Sequence, residues 1–203
     1  MLILFLILFG YACFNVQYFL TARNLVFSLG LSVTTVGIVS CGMLFCLASG
    51  DFDLSVGSVG AFSGVLVAML VNKMNGNLLA IPLCLGVCAL IGTFNGVIIA
   101  IFGINALITT LATMQIVRGL GYILNNGDSV GTTSDSFAHL GNGVVLGLPI
   151  PIWTLIACLI VFGALLHLTT FGRNTLAIGG NKEAARLSGV PTKRIKVMIF
   201  ALQ

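Results

Sequence analysis

Six times in 203 residues the chain runs for about twenty residues with almost no charge. The runs cover residues 2–20, 26–48, 54–72, 78–102, 104–124 and 150–168, and a seventh opens near Ile195. An α-helix needs roughly 20 apolar residues to cross a bilayer core. Recurrence of that length excludes a water-soluble domain, because too little polar surface is left to face water. Hydrophobic residues make up 58% of the chain and charged residues 7%, where soluble domains are about a quarter charged. A transmembrane barrel would need segments of about ten residues alternating with period two, and these runs do not alternate. A cleaved signal peptide at residues 1–20 is disfavoured, since no Lys or Arg precedes the run and no small-x-small site closes it. The expectation is an all-α, polytopic membrane protein with six complete spans and the start of another.

The charges orient it. Six of the nine Lys and Arg residues lie between Arg173 and Lys196, with one acid among them, Glu183. The other long connection, 125–149, carries Asp128 and Asp135 and no Lys or Arg. The positive-inside rule places loop 169–194 in the cytoplasm and loop 125–149 outside. Counting back, the turn holding Asp51 and Asp53 is cytoplasmic and the loop after Lys73 external. Arg23 and Lys73 then lie outside, against the rule's trend. Tyr122 and Trp153 flank the acidic loop, where interfacial aromatics sit. The short basic loop reads as an orientation signal, and no nucleic-acid partner is expected.

Catalytic chemistry finds no foothold. All six cysteines fall inside apolar runs, where buried free thiols are ordinary. Cys84 and Cys88 share a helix face without the further ligands a metal site needs, and His139 and His167 are isolated. Glycine spacings such as "GVCALIG" lack the strand-then-helix context of a nucleotide fingerprint. No cofactor or metal is expected on this chain, and any ATP used is hydrolysed elsewhere. Gly60-x-x-x-Gly64 and Gly92-x-x-x-Gly96 read instead as faces for close helix packing.

Polar residues at membrane depth carry the functional signal. In "SGDFDLSVGS", Asp51 and Asp53 on a continuous helix would point about 200° apart, turning one toward lipid. A helix break near residues 50–54, at Gly50, avoids this, with Asp53 or Ser55 capping the next helix. Such breaks are tolerated where they face protein or a water-filled cavity. The turn is either a capped connector or part of a transport path. In the fifth span, Asn105, Thr109, Thr110 and Thr113 fall on one side, Gln115 and Arg118 on another. These groups either bind a polyol or join helices. Arg118 either snorkels outward or pairs with an acid. Asn95 in the fourth span is a further interior candidate.

The basic loop predicts a short helix over 181–189. In "GGNKEAARLSGVP", Asn181 caps, Glu183 sits in the first turn, Gly189 ends the helix and Pro191 stops it. Ala184 and Ala185 are expected on its surface, either as part of a plain connector or as a face that lets a partner approach closely.

These residues resemble a family. "SGDFDLSVGS" is similar to the signature of permease subunits in bacterial ATP-binding-cassette importers of monosaccharides, the ribose, galactose and arabinose group. "EAARLSG" matches their loop pattern of Glu-Ala-Ala, three residues, then Gly. "GINALITTLATMQIVRGLGYI" and "TTFGRNTLAIGGNKEAARLSGVP" look closest to the arabinose members. The resemblance covers nearly all of the chain and implies one permease domain over 1–203 in the bacterial inner membrane. It implies no enzymatic activity here, with ATP and Mg bound by a partner ATPase. Further partners implied are a periplasmic sugar-binding protein and a second permease chain, as a homodimer. Gly179, Gly180, Asn181, Glu183, Ala184, Ala185 and Gly189 would form the ATPase-coupling segment. Asp51, Asp53 and Ser55 belong to the family motif and, with Asn95, Asn105, Thr109, Thr113, Gln115 and Arg118, are substrate-path candidates. Family members begin with a longer polar segment and continue through more spans, so the resemblance implies a chain shortened at both ends.

Two other classes fit the residues alone. In an ion-coupled secondary carrier, Asp51 or Asp53 would carry a proton or sodium ion. In a membrane scaffold, the loop helix would bind a partner and nothing would cross. Ribose, galactose and autoinducer permeases share every feature derived from the residues; arabinose enters by resemblance.

Overall fold

The computed structural model describes residues 1–203 and is helical almost throughout. After α1 (Leu2–Asn15), a π-helical turn over Asn24–Leu29 runs without interruption into α2 (Gly30–Ala48). Then come α3 (Val56–Lys73), α4 (Ala80–Ala100), α5 (Ala106–Leu124) and the short α6 (Asp135–Asn142). A two-residue hairpin, β1 (Val144–Val145) and β2 (Leu148–Pro149), leads into α7 (Ile150–Leu168). The chain closes with α8 (Thr170–Gly180), α9 (Lys182–Leu187) and α10 (Thr192–Leu202).

Five helices are long and apolar enough to cross a membrane: 24–48, α3, α4, α5 and α7. Within the first expected span, 2–20, the helix stops at Asn15 and does not run on to residue 20. Asn15 ends it, its Nδ2 donating back to the Tyr11 carbonyl at 3.1 Å. Tyr18 then turns the chain with φ +62°.

Few residues are buried, 34 of 203, because lipid takes the place that a core has in water. Apolar side chains such as Val33, Leu85, Phe94 and Ile160 face outward along the spans. The one substantial core gathers at a single end of the bundle. It joins Phe45 and Cys46 of α2, Ile99 of α4, Leu166 of α7, Ile178 of α8, Ala185 of α9 and Ile199 and Phe200 of α10. The loop helices are thus packed into the end of the bundle where α2 stops.

The two glycine pairs behave differently. A Cβ at Gly92 would collide with the Phe200 carbonyl, and one at Gly96 would come within 2.7 Å of the Val197 Cα. This face lets α10 lie directly against α4. The expected packing through Gly60 and Gly64 is corrected: nothing lies within 4 Å of a Cβ built at either. The basic connection is also more ordered than a single short helix, since α8 occupies its first half.

Candidate functional site

The interruption between α2 and α3 is built by a Schellman-type stop. Gly50, at φ +79°, donates its N–H to the Leu47 carbonyl at 3.0 Å, and Asp51 N–H reaches the Cys46 carbonyl at 3.0 Å. These are the two bonds by which a left-handed residue closes a helix end. The expected break near residues 50–54 is therefore present, between Ala48 and Val56.

The two carboxylates have separate surroundings. Asp53 is buried, and its Oδ1 accepts from both the Ser55 N–H at 2.7 Å and the Ser55 hydroxyl at 2.6 Å. Asp53 thus folds the turn just ahead of α3, and the expected cap is corrected, since neither Asp53 nor Ser55 accepts from an N–H of that helix's first turn. Asn95 Nδ2 donates to Ser55 Oγ at 3.3 Å, and the Thr113 hydroxyl donates to Asn95 Oδ1 at 2.5 Å. Beside this chain the Leu54 N–H donates to Thr110 Oγ1 at 3.1 Å. Polar groups from the break, α4 and α5 satisfy one another in a buried network, as groups removed from water must.

Asp51 faces the other way. Lys196 Nζ of α10 lies 2.5 Å from Asp51 Oδ2, with side chains 9% and 12% exposed. The approach is an ion pair off the direction of a formed hydrogen bond, for that oxygen accepts none. Lys196, counted in the sequence with the basic connection, is therefore a buried partner of the break. Sequence reasoning missed this pairing although a signal was present. Thr192, Ile195, Lys196, Ile199 and Phe200 are all buried at helical spacing, so the lysine lies on the apolar face of α10.

The remaining polar residues of α5 divide. Thr109 is buried, its hydroxyl bonded to the Asn105 carbonyl at 3.0 Å. Asn105 is exposed and caps α5, its Oδ1 accepting from the Leu107 N–H at 2.8 Å. Gln115 and Arg118 are exposed and lie apart from the network. Of these two, Arg118 lines a cavity of about 490 Å³ between α3 and α5.

At the same end of the bundle as the break, α9 has the expected caps. Asn181 Oδ1 accepts from the N–H groups of Glu183 at 3.1 Å and Ala184 at 3.0 Å, and Gly189 leaves at φ +85°. A hydrogen bond from Arg186 holds the Glu183 carboxyl below its usual value. One expectation is corrected: Ala184 is exposed, but Ala185 turns inward and joins the core. Ala185 is the single residue of α9 turned toward the bundle, the other five facing solvent. Gly179 sits against the Ala48 carbonyl at the end of α2, whereas Gly180 is open. Leu187, 77% exposed, is an apolar surface group of α9 that the sequence reading passed over.

The chain is 54% identical over 202 residues to the L-arabinose transport system permease protein AraH of Escherichia coli K12, covering all of this chain and 61% of that protein. It is 47% identical over 199 residues to the L-arabinose ABC transporter permease protein AraH of Azospirillum brasilense, covering 98% and 58%. The ribose import permease protein RbsC of Haemophilus influenzae is 38% identical over 169 residues, covering 81% and 52%. The chain spans about three-fifths of the length of the arabinose relatives it matches. No solved structure matches it. Residues 24–203 match the model of one family, beginning where the first full-length span begins. The chain belongs to that permease family, described as "branched-chain amino acid transport system / permease component".

Proposed function

We propose that this chain forms the membrane-embedded body of a permease subunit that carries a monosaccharide, L-arabinose, across the bacterial inner membrane. The observation that carries this is the graded likeness: 54% identity to an arabinose permease along the whole chain, against 38% to a ribose permease. The permease hydrolyses nothing itself. A partner ATPase supplies the energy and a periplasmic protein delivers the sugar, with a second permease copy completing the path. The exposed side of α9, with Glu183, Ala184 and Leu187, is the ATPase-docking face. Packing of Ala185 and Gly179 into the bundle supports this, because a docking helix must pass force to the spans behind it.

An ion-coupled carrier is disfavoured by the surroundings of its candidate groups. Asp51 is paired with Lys196 and Asp53 accepts from Ser55, so an ion taken up at either carboxylate would first have to displace that partner. A scaffold gains no support from relatives that carry the names of transport permeases.

Uptake of radiolabelled arabinose decides the matter, in cells carrying the native gene and the rest of its transport system. Deleting the gene should abolish uptake, excess ribose should compete weakly, and uptake should persist when the proton gradient is collapsed with ATP maintained. Loss of uptake on collapsing the gradient would establish the carrier instead. Unchanged uptake after deletion would end the transport reading.

A further inference from the structure

The cavity between α3 and α5 has a composition that the helix-packing network does not explain. It extends from Leu54, within the break, to Asn125 and Asp128 beyond the end of α5. Small side chains on α3, Ser58 and Ala61, leave its space open, and Arg118, Tyr122, Asn125 and Asp128 supply its polar wall. At about 490 Å³ it falls within the range of small-molecule sites, roughly 300–1,000 Å³.

Arg118 is the decisive residue. It is exposed on a membrane-spanning helix and makes no salt bridge; the ion pairs present are Arg186–Glu183 and Lys196–Asp51. An unpaired guanidinium facing lipid is costly, and such groups face protein or water-filled space. Here it opens on the cavity, where Asp128 lines the wall without pairing with it.

The wall therefore offers one cation and one anion, balanced in charge, together with an amide and a phenol. A charged solute would gain at one end what it lost at the other. A neutral molecule bearing several adjacent hydroxyls is suited to both: carboxylate and amide oxygens accept from hydroxyls, and guanidinium and amide N–H groups donate to them. The Tyr122 ring gives an apolar face for C–H groups. Resting on the permease reading above, we infer that this cavity binds the sugar during its passage, with Arg118, Tyr122, Asn125 and Asp128 as its polar contacts and Ser58 and Ala61 keeping it open. The sites in the buried network hold the helices that form its walls.

The test reads the cavity separately from transport. In membranes containing the native transport system, Ser58→Cys is exposed to a small water-soluble thiol reagent, and the adduct at residue 58 is read by peptide mass spectrometry. Millimolar arabinose should slow modification at least threefold, with glucuronate, a charged sugar, giving no protection. Protection by ribose alone would overturn the arabinose reading and keep the cavity. Equal rates with and without every neutral sugar tried would overturn the cavity, even with transport intact. In cells, Ser58→Trp and Ala61→Trp should reduce uptake more than tenfold at normal membrane levels. Ile108→Trp, on an exposed apolar position of α5, should import as the wild type does. Filled variants that import normally would also overturn the inference; if they fail to reach the membrane, the protection measurement decides.

Discussion

Lys196 and Asp51 illustrate how one residue can hold a break in place. Moving a charge out of water carries a penalty of several kcal/mol, which the partner offsets only while it stays. The Lys196→Met substitution leaves the Asp51 carboxylate buried without a cation and should destabilise the protein by about 3–5 kcal/mol. Thermal unfolding of the purified protein should show this, and adding Asp51→Asn should recover much of the loss. If the double variant were no more stable than Lys196→Met, the two residues would act independently. The Asn95 bridge has a different character. It is neutral, and its amide nitrogen and oxygen each have a partner, so it fixes the register between the break, α4 and α5 more than it supplies net stability.

At the level of elements, the contrast between the glycine pairs gives a direct comparison. Gly92→Ala would push a methyl group into the Phe200 carbonyl, and backbone cannot rotate aside as a side chain can. A cost of about 1–3 kcal/mol is expected from such overpacking, seen as a lower unfolding temperature. Gly60→Ala, with open space around it, should stay within about 0.5 kcal/mol of the wild type. The short α9 calls for a different measurement. Leu187→Asp alters an exposed side chain, so the permease should fold and reach the membrane normally while co-purification of the proposed partner ATPase falls. Retention of the ATPase would move the docking surface away from this face of α9.

Across the whole molecule, sidedness ties the helices to their function. The basic connection contains α8 and α9 and packs against the bundle end that holds the break. Lys182 and Lys193 should react with an impermeant amine reagent in inverted vesicles and stay unmodified in intact cells. Modification from outside would rule out the proposed docking of α9 on a cytoplasmic ATPase.

How much of this was legible in the sequence follows from the range of the forces involved. Long apolar runs set the spans, Gly50 and Gly189 set the helix ends, and Asn181 set the start of α9, because these depend on neighbours within a turn or two. Even the cut in the first run had a local mark, in the amides of Asn15 and Gln17. The family also showed in the sequence, through "SGDFDLSVGS" and "EAARLSG". Tertiary structure alone decided that Lys196 meets Asp51, that Gly92 is packed while Gly60 is open, and that Ala185 turns inward. It also brought Ser58 and Arg118 to one cavity. In lipid an apolar face has no preferred partner from hydrophobicity, since the solvent is as apolar as the neighbouring helix. Pairing is then selected by shape and by the few polar groups that must find each other across the fold, which no stretch of sequence contains.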